Sequence, residues 1–382
     1  MKTLAHVYPW DIVGDPAAPA RLRDLGVDGI ALAACYHSVR AATPLHPAHR
    51  LVDARHAALY TALRPSAWDG CRLAPAAPSW MSGCDSFGEA ACALRDVGLP
   101  VHAWIVLTHA SRLGDLAPDV CVRNAFGDRY AYALCPAQPE VVDYGRVLVR
   151  EIVECARPDG VVLEACGALG FAHAGHHEKT EGAGWSVAQQ QLLSLCFCAA
   201  CMSRYADAGL DTIELGRRVR MGVDAAVGSI EEALGDMATS VALVRTSLAR
   251  RLRQQVVAAM RATDAWVRIT LHASADPWAT GAFATIAGEL GAAVDVLVVN
   301  GWAGAQASQP AIAAVRAVAG PDARLASYVL VLPPWPAATA TLAAELAGFA
   351  RAGIDECHFY HAGLASAARL HAMRQAIAQG GF

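Results

Sequence analysis

Eight short apolar runs rich in Val, Ile and Leu recur along the whole chain and limit its fold more tightly than any other feature: residues 4–8, 29–34, 101–107, 160–164, 266–271, 294–299, 324–330 and 356–360. Each is strand-sized and is followed by polar or aromatic residues, then by an alanine-rich stretch with helical spacing. Runs that are apolar throughout and alternate with helices read as parallel strands covered on both faces. Eight such units close a barrel. The expected class is therefore α/β, a single (β/α)8 TIM barrel made by residues 1–382. Gly26, Gly98 and Gly353 each stand just before a run, where a preceding helix would end on a left-handed residue.

Composition narrows the function classes. A hydrophobic fraction of 55% with 17% charged residues suits an extensive core and not a disordered chain. The formal net charge of −4 supplies no basic field, so a nucleic-acid partner is not expected. No apolar stretch reaches membrane length, which argues against a membrane partner. The first ten residues turn aromatic and acidic before any signal-type core could form. Together with thiols clustered as for a metal and not spread as a disulfide framework, this gives a cytoplasmic expectation. A homo-oligomer is left open.

Two connections exceed ordinary loop length: residues 37–80 after strand two and 165–201 after strand four. In a barrel both lie at the C-terminal face, where active sites are built. They are expected to meet over the mouth.

The residues at the strand ends are polar and aromatic. Strand one supplies His6 and Trp10, strand two Tyr36, His37 and Arg40, and strand three Trp104 and His109. Strand five supplies His272, strand six Asn300 and Trp302, and strand eight Tyr360 and His361. Aromatic faces stack on sugar rings while His, Asn and Arg bond hydroxyls, so these are the expected contacts to a small, carbohydrate-like substrate. Glu164 ends the apolar run of strand four. Burial there would raise its pKa toward that of a working acid. Hydrolysis of a glycoside needs a second carboxylate, for which Asp276 after strand five is the first candidate, followed by Asp11 and Glu178. The cluster His176, His177 and Glu178 is expected to be a substrate-contacting loop, with a catalytic metal as the alternative.

Cys196, Cys198 and Cys201 form a C-x-C-x-x-C cluster. Three thiols this close cannot all pair with one another but can share one tetrahedral ion, with a fourth ligand from elsewhere. Cys135, followed by Pro136, is the first choice, with Cys121, His176 and His177 in reserve. The expected cofactor is structural Zn2+.

Cys135-Pro136 after strand three, a glutamate ending strand four, and then Cys196, Cys198 and Cys201 resemble, in the same order, glycoside hydrolase family 42, the β-galactosidases. The resemblance implies a (β/α)8 barrel, zinc on Cys135, Cys196, Cys198 and Cys201, and Glu164 as acid/base. Leu163 stands where that clan has an Asn before its acid, and strand seven carries no carboxylate in the place of the family's nucleophile. The expected activity is acid/base hydrolysis of a glycoside or related polyhydroxylated molecule by Glu164 and Asp276. The alternatives are a metal-dependent sugar isomerase or hydrolase using His176, His177 and Glu178, a carbohydrate-binding pseudoenzyme, and a zinc-stabilised scaffold.

Overall fold

The computed structural model describes residues 1–171, 179–286 and 293–379. Eight parallel strands close on themselves: β1 (Lys2–Val7), β2 (Gly29–Tyr36), β3 (Val101–Val106), β4 (Gly160–Glu164), β5 (Arg268–His272), β6 (Val296–Asn300), β7 (Leu325–Leu330) and β8 (Glu356–Tyr360). Each pairs with the next in the chain, and β8 pairs back to β1 with Lys2 opposite Glu356. The (β/α)8 barrel and the eight-strand count expected from the apolar runs are both present.

Strand bounds shift by up to two residues, at β1, β2, β5 and β6. Trp266 lies outside β5 and is exposed, because its backbone N–H is taken up by the Asp264 carboxylate in a turn. Gly26, Gly98 and Gly353 have φ of 79°, 83° and 80°, the left-handed geometry expected at those helix ends.

The helices cover the outside by one-sided apolar faces. Pro139–Ala156 begins with Pro at its first turn, and Val141, Val142, Leu148, Val149, Ile152 and Val153 are buried along one stripe. This helix packs on Ala238–Thr263, which buries Val241, Leu252, Val256 and Met260. Among the described residues, no helix is long and apolar enough to cross a membrane.

The inside of the barrel differs from the usual layers of branched aliphatics. A small apolar group of Val296, Val298, Ala326 and Tyr328 shares the axis with ionisable side chains. At the base, Arg268 of β5 pairs with Glu356 of β8. Above them lie His358, His6 and His272, none with measurable exposure. Gly160 opens β4 because a side chain there would meet the His102 ring at 2.3 Å.

The connection after β2 contains a hairpin (Val39–Ala42 with Leu51–Ala54) and a short segment, Ala58–Leu59, that pairs antiparallel with the end of β2. A second hairpin follows β3, Cys121–Arg123 with Arg129–Leu134. The connection after β4 carries helices Val187–Leu193 and Ala199–Asp207.

Candidate active site and thiol centre

Glu164 is the last residue of β4 and is 8% exposed. Its Oε2 accepts a hydrogen bond from Trp104 Nε1 at 2.8 Å and lies 3.8 Å from His272 Nδ1. Burial pushes its pKa up to about 7 against the opposing pull of the Trp104 N–H. Near neutrality such a group exists in both protonation states, as acid/base chemistry requires.

Aromatic rings surround it. Trp104 stands edge-on to Tyr36 at 4.6 Å and to His6 at 4.6 Å. From the opposite wall Tyr328, Tyr360 and Trp302 converge, with centroid separations of 5.3, 5.9 and 5.2 Å. Burial first, and then the nearby Glu164 carboxylate, push the Tyr328 phenol up. Tyr36 stacks on His37 at 4.2 Å and His37 on His109 at 4.1 Å. These rings come from β1, β2, β3, β7 and β8 and from the connections after β2, β3 and β6, so only barrel closure brings them together.

Several expected contact residues lie deeper than the strand-end reading implies. His6 and His272 are fully buried on the axis, because the two-residue alternation of a strand turns them inward beneath the mouth. Trp10 and His361 are also buried; both stack on Tyr8, at 4.4 and 4.2 Å. Tyr360 and Trp302 reach the surface, as does Asn300, whose Oδ1 accepts from Trp302 N at 3.0 Å. Arg40 is on the hairpin after β2, exposed and 3.5 Å from Asp53. His176, His177 and Glu178 lie outside the described residues.

The carboxylate candidates differ in setting. Asp276 is exposed, and its Oδ1 accepts from Trp278 N at 2.9 Å in the turn after β5. Asp11 is 7% exposed. Its Oδ2 takes the Tyr8 N–H at 2.8 Å, and burial raises its pKa to about 7. It packs on Gly363, where a side chain would sit 1.7 Å from that oxygen. Sequence reasoning missed Phe283, which lies parallel to the His272 ring at 4.9 Å. It sits in a short helical turn that no periodicity announces.

The thiol centre is assembled as expected from Cys135, Cys196, Cys198 and Cys201, all buried, with Sγ atoms within 4.8 Å of one another. Cys135 follows the hairpin after β3, and Cys198 is the N-cap residue of Ala199–Asp207. The Cys135–Cys201 and Cys135–Cys198 sulfurs are 3.5 and 3.7 Å apart. A disulfide needs about 2.05 Å, whereas a tetrahedral ion about 2.3 Å from each sulfur sets them roughly 3.8 Å apart. The donor set therefore fits a thiolate-bound metal. The surrounding thiols, Cys135 foremost, hold Cys198 far below the usual range, while Cys196 and the others push Cys135 up. Cys121 is not a member; its Sγ faces the Gly114 carbonyl at 3.4 Å.

The centre lies where two connections meet. Tyr130 Oη donates to Leu193 O at 2.9 Å, and Tyr132 Oη to Gly170 O at 3.1 Å. These bonds join the hairpin after β3 to the connection after β4.

The chain matches no protein-family model, and no curated protein matches it in sequence. Solved structures match its fold. The α-L-fucosidase isoenzyme 2 of Paenibacillus thiaminolyticus superposes with a TM-score of 0.61 at 12% identity, covering 99% of this chain and 49% of the fucosidase. The chain thus spans about half the length of that enzyme. The glycoside hydrolase domain of PgaB (BpsB) from Bordetella bronchiseptica gives 0.61 at 15% identity and 98% coverage of both chains. A β-galactosidase from the psychrophilic Marinomonas ef1 gives 0.55 at 12% identity, covering 98% of this chain and 58% of that one. These neighbours are (β/α)8 glycoside hydrolases, and at such identities the likeness is one of fold.

Proposed function

We propose that this chain is a glycoside hydrolase that uses Glu164 as its proton donor and acceptor on a small glycoside or related polyhydroxylated substrate. The observation that carries the reading is the buried Glu164 carboxyl, with its pKa raised to about 7, inside a box of Trp104, Tyr36, Tyr328 and Tyr360. The aromatic faces give a sugar its stacking surface, and the raised pKa gives the leaving oxygen its proton. Asp276, exposed on the turn after β5, is the expected partner carboxylate, and Asp11 the alternative. Cys135, Cys196, Cys198 and Cys201 would hold structural Zn2+, away from the chemistry, in a reducing, cytoplasmic setting.

The test is a panel of aryl glycosides assayed with the full chain and with Glu164→Gln. Turnover that disappears in the variant while sugar binding persists supports the reading; equal turnover in both sinks it. A carbohydrate-binding pseudoenzyme is favoured by one observation: among the described residues, no second carboxylate contributes to the Glu164 shift. Binding without turnover in the unmodified chain would select it. In a sugar-soaked crystal, carboxyl groups about 5 Å apart mean retention and roughly 6.5–9.5 Å inversion.

A further inference from the structure

His272 is an odd residue to find beside an acid/base. It is fully buried, and neither of its ring nitrogens has a hydrogen-bond partner among the described residues. A buried polar atom without a partner is costly, and two on one ring call for an explanation. The ring is held by packing alone, parallel to Phe283 at 4.9 Å and tilted against Tyr328 at 4.7 Å. Because β5 pairs with β4, setting Leu271 opposite Leu163, the next residue on each strand brings Nδ1 to 3.8 Å from Glu164 Oε2. That is just beyond hydrogen-bond length, so a small rotation of either side chain closes it.

Trp104 donates to the same Oε2, and an indole N–H cannot accept. Oε2 is therefore the oxygen that stays unprotonated, and the acid proton belongs on Oε1. We propose that His272 is the positioning partner of Glu164: held as the neutral Nδ1–H tautomer, it donates to Oε2 in both charge states, through a bond that tightens when the carboxyl ionises. The imidazole stays neutral throughout. Neutrality is enforced by its surroundings. Burial, and then His358, hold the His272 pKa well down. The ionisable groups around the pair are Glu164 from β4, His6 from β1, Tyr36 from β2, Tyr328 from β7, and His358 and Tyr360 from β8. Among them only Glu164 has its pKa placed near neutrality. His272 is thus a positioning residue that accommodates both charge states of the acid/base and does not contact substrate.

The inference rests on Glu164 being the proton-exchanging group of the proposed reaction, but its test needs no turnover. The full chain is labelled with ring-15N histidine and titrated, and the His272 signals are identified by their loss in His272→Asn. The Nδ1–H resonance is expected to shift with a midpoint near 7 as the bond tightens, while Nε2 stays unprotonated, and to stop moving in Glu164→Gln. Ring signals that stay constant across the Glu164 titration, or an unchanged titration in Glu164→Gln, overturn it. A second measurement follows the Glu164 carboxyl by 13C labelling. His272→Phe should raise its midpoint by about one pH unit, a tenfold change in ionisation, and His272→Asn should restore part of that. If the Phe variant does not fold, the ring titration of the unaltered chain decides alone. A coupled titration in a chain that hydrolyses no glycoside would keep this inference and remove the proposed function.

Discussion

The thiol centre and the Glu164 box are both buried and both formed by the connections and strand ends at one end of the barrel, yet they are built in opposite ways. The centre uses four copies of one residue, three of them within six positions of sequence, and depends on a single pairing between two neighbouring connections. The box draws different side chains from β2, β3, β4, β5, β7 and β8, and exists only when the barrel closes. A closed cluster of thiolates can serve stability without moving. A carboxyl that changes charge needs neighbours tolerant of both states, and the box supplies an N–H donor, phenols and a neutral imidazole instead of a fixed counter-ion.

This contrast can be broken by substitution. The largest effect is expected at the centre: Cys198→Ser, or a strong chelator, should cost on the order of 4 kcal/mol or more of stability, read as a collapse of Tm with loss of about one zinc per chain by elemental analysis. A preparation that never contains metal and is as stable as the chelated one would contradict it. Next is Glu164→Gln, expected to lower turnover 10²–10⁴-fold with Tm unchanged or higher, the reverse of the cysteine phenotype.

The third test is pH. The folded Glu164 pKa of about 7 lies above its ordinary 4.5, so the folded state binds more protons than the unfolded between those values. Its stabilising contribution is complete below about 4.5 and is lost as pH rises through 7, by roughly 3 kcal/mol at most. Denaturant midpoints should therefore show the unaltered chain losing stability relative to Glu164→Gln over that window; parallel curves would mean that Glu164 is not held protonated by the fold. The smallest effect on stability is expected at Asp276→Asn, within about 0.5 kcal/mol because the residue is exposed. Its turnover should nonetheless fall severely. Unchanged turnover would pass the partner role to Asp11, whose burial predicts the opposite profile, a change of stability first.

How much of this was legible beforehand follows from the same contrast. The eight strands were readable because β-sheet covered on both faces leaves uninterrupted apolar runs, and the Cys196, Cys198, Cys201 spacing because chelation of one ion limits where ligands can sit. Glu164 stood out as a carboxylate ending such a run. Depth along the axis was not readable. His6 and His272 look like rim residues in sequence because nothing local records the stagger of strands around a closed barrel. The hairpin of Cys121–Leu134 left a usable sign in Asn124 and Gly127: Asn124 Oδ1 accepts from the N–H groups of Phe126 and Asp128, and Gly127 has φ of 94°. Its strands are short, three and six residues, so no periodicity drew attention to them.

The ionisable barrel axis, with Arg268 and Glu356 at its base and His358 and His6 above, has a consequence for anyone wishing to engineer the chain. Interiors of this kind forgo the packing energy that aliphatic side chains of similar volume would provide. The axis is accordingly a reserve of unused thermostability. Exchanging the lower residues for Leu or Met draws on that reserve farthest from Glu164, whereas each step upward toward His272 trades heat resistance against the freedom of the acid/base to change its charge.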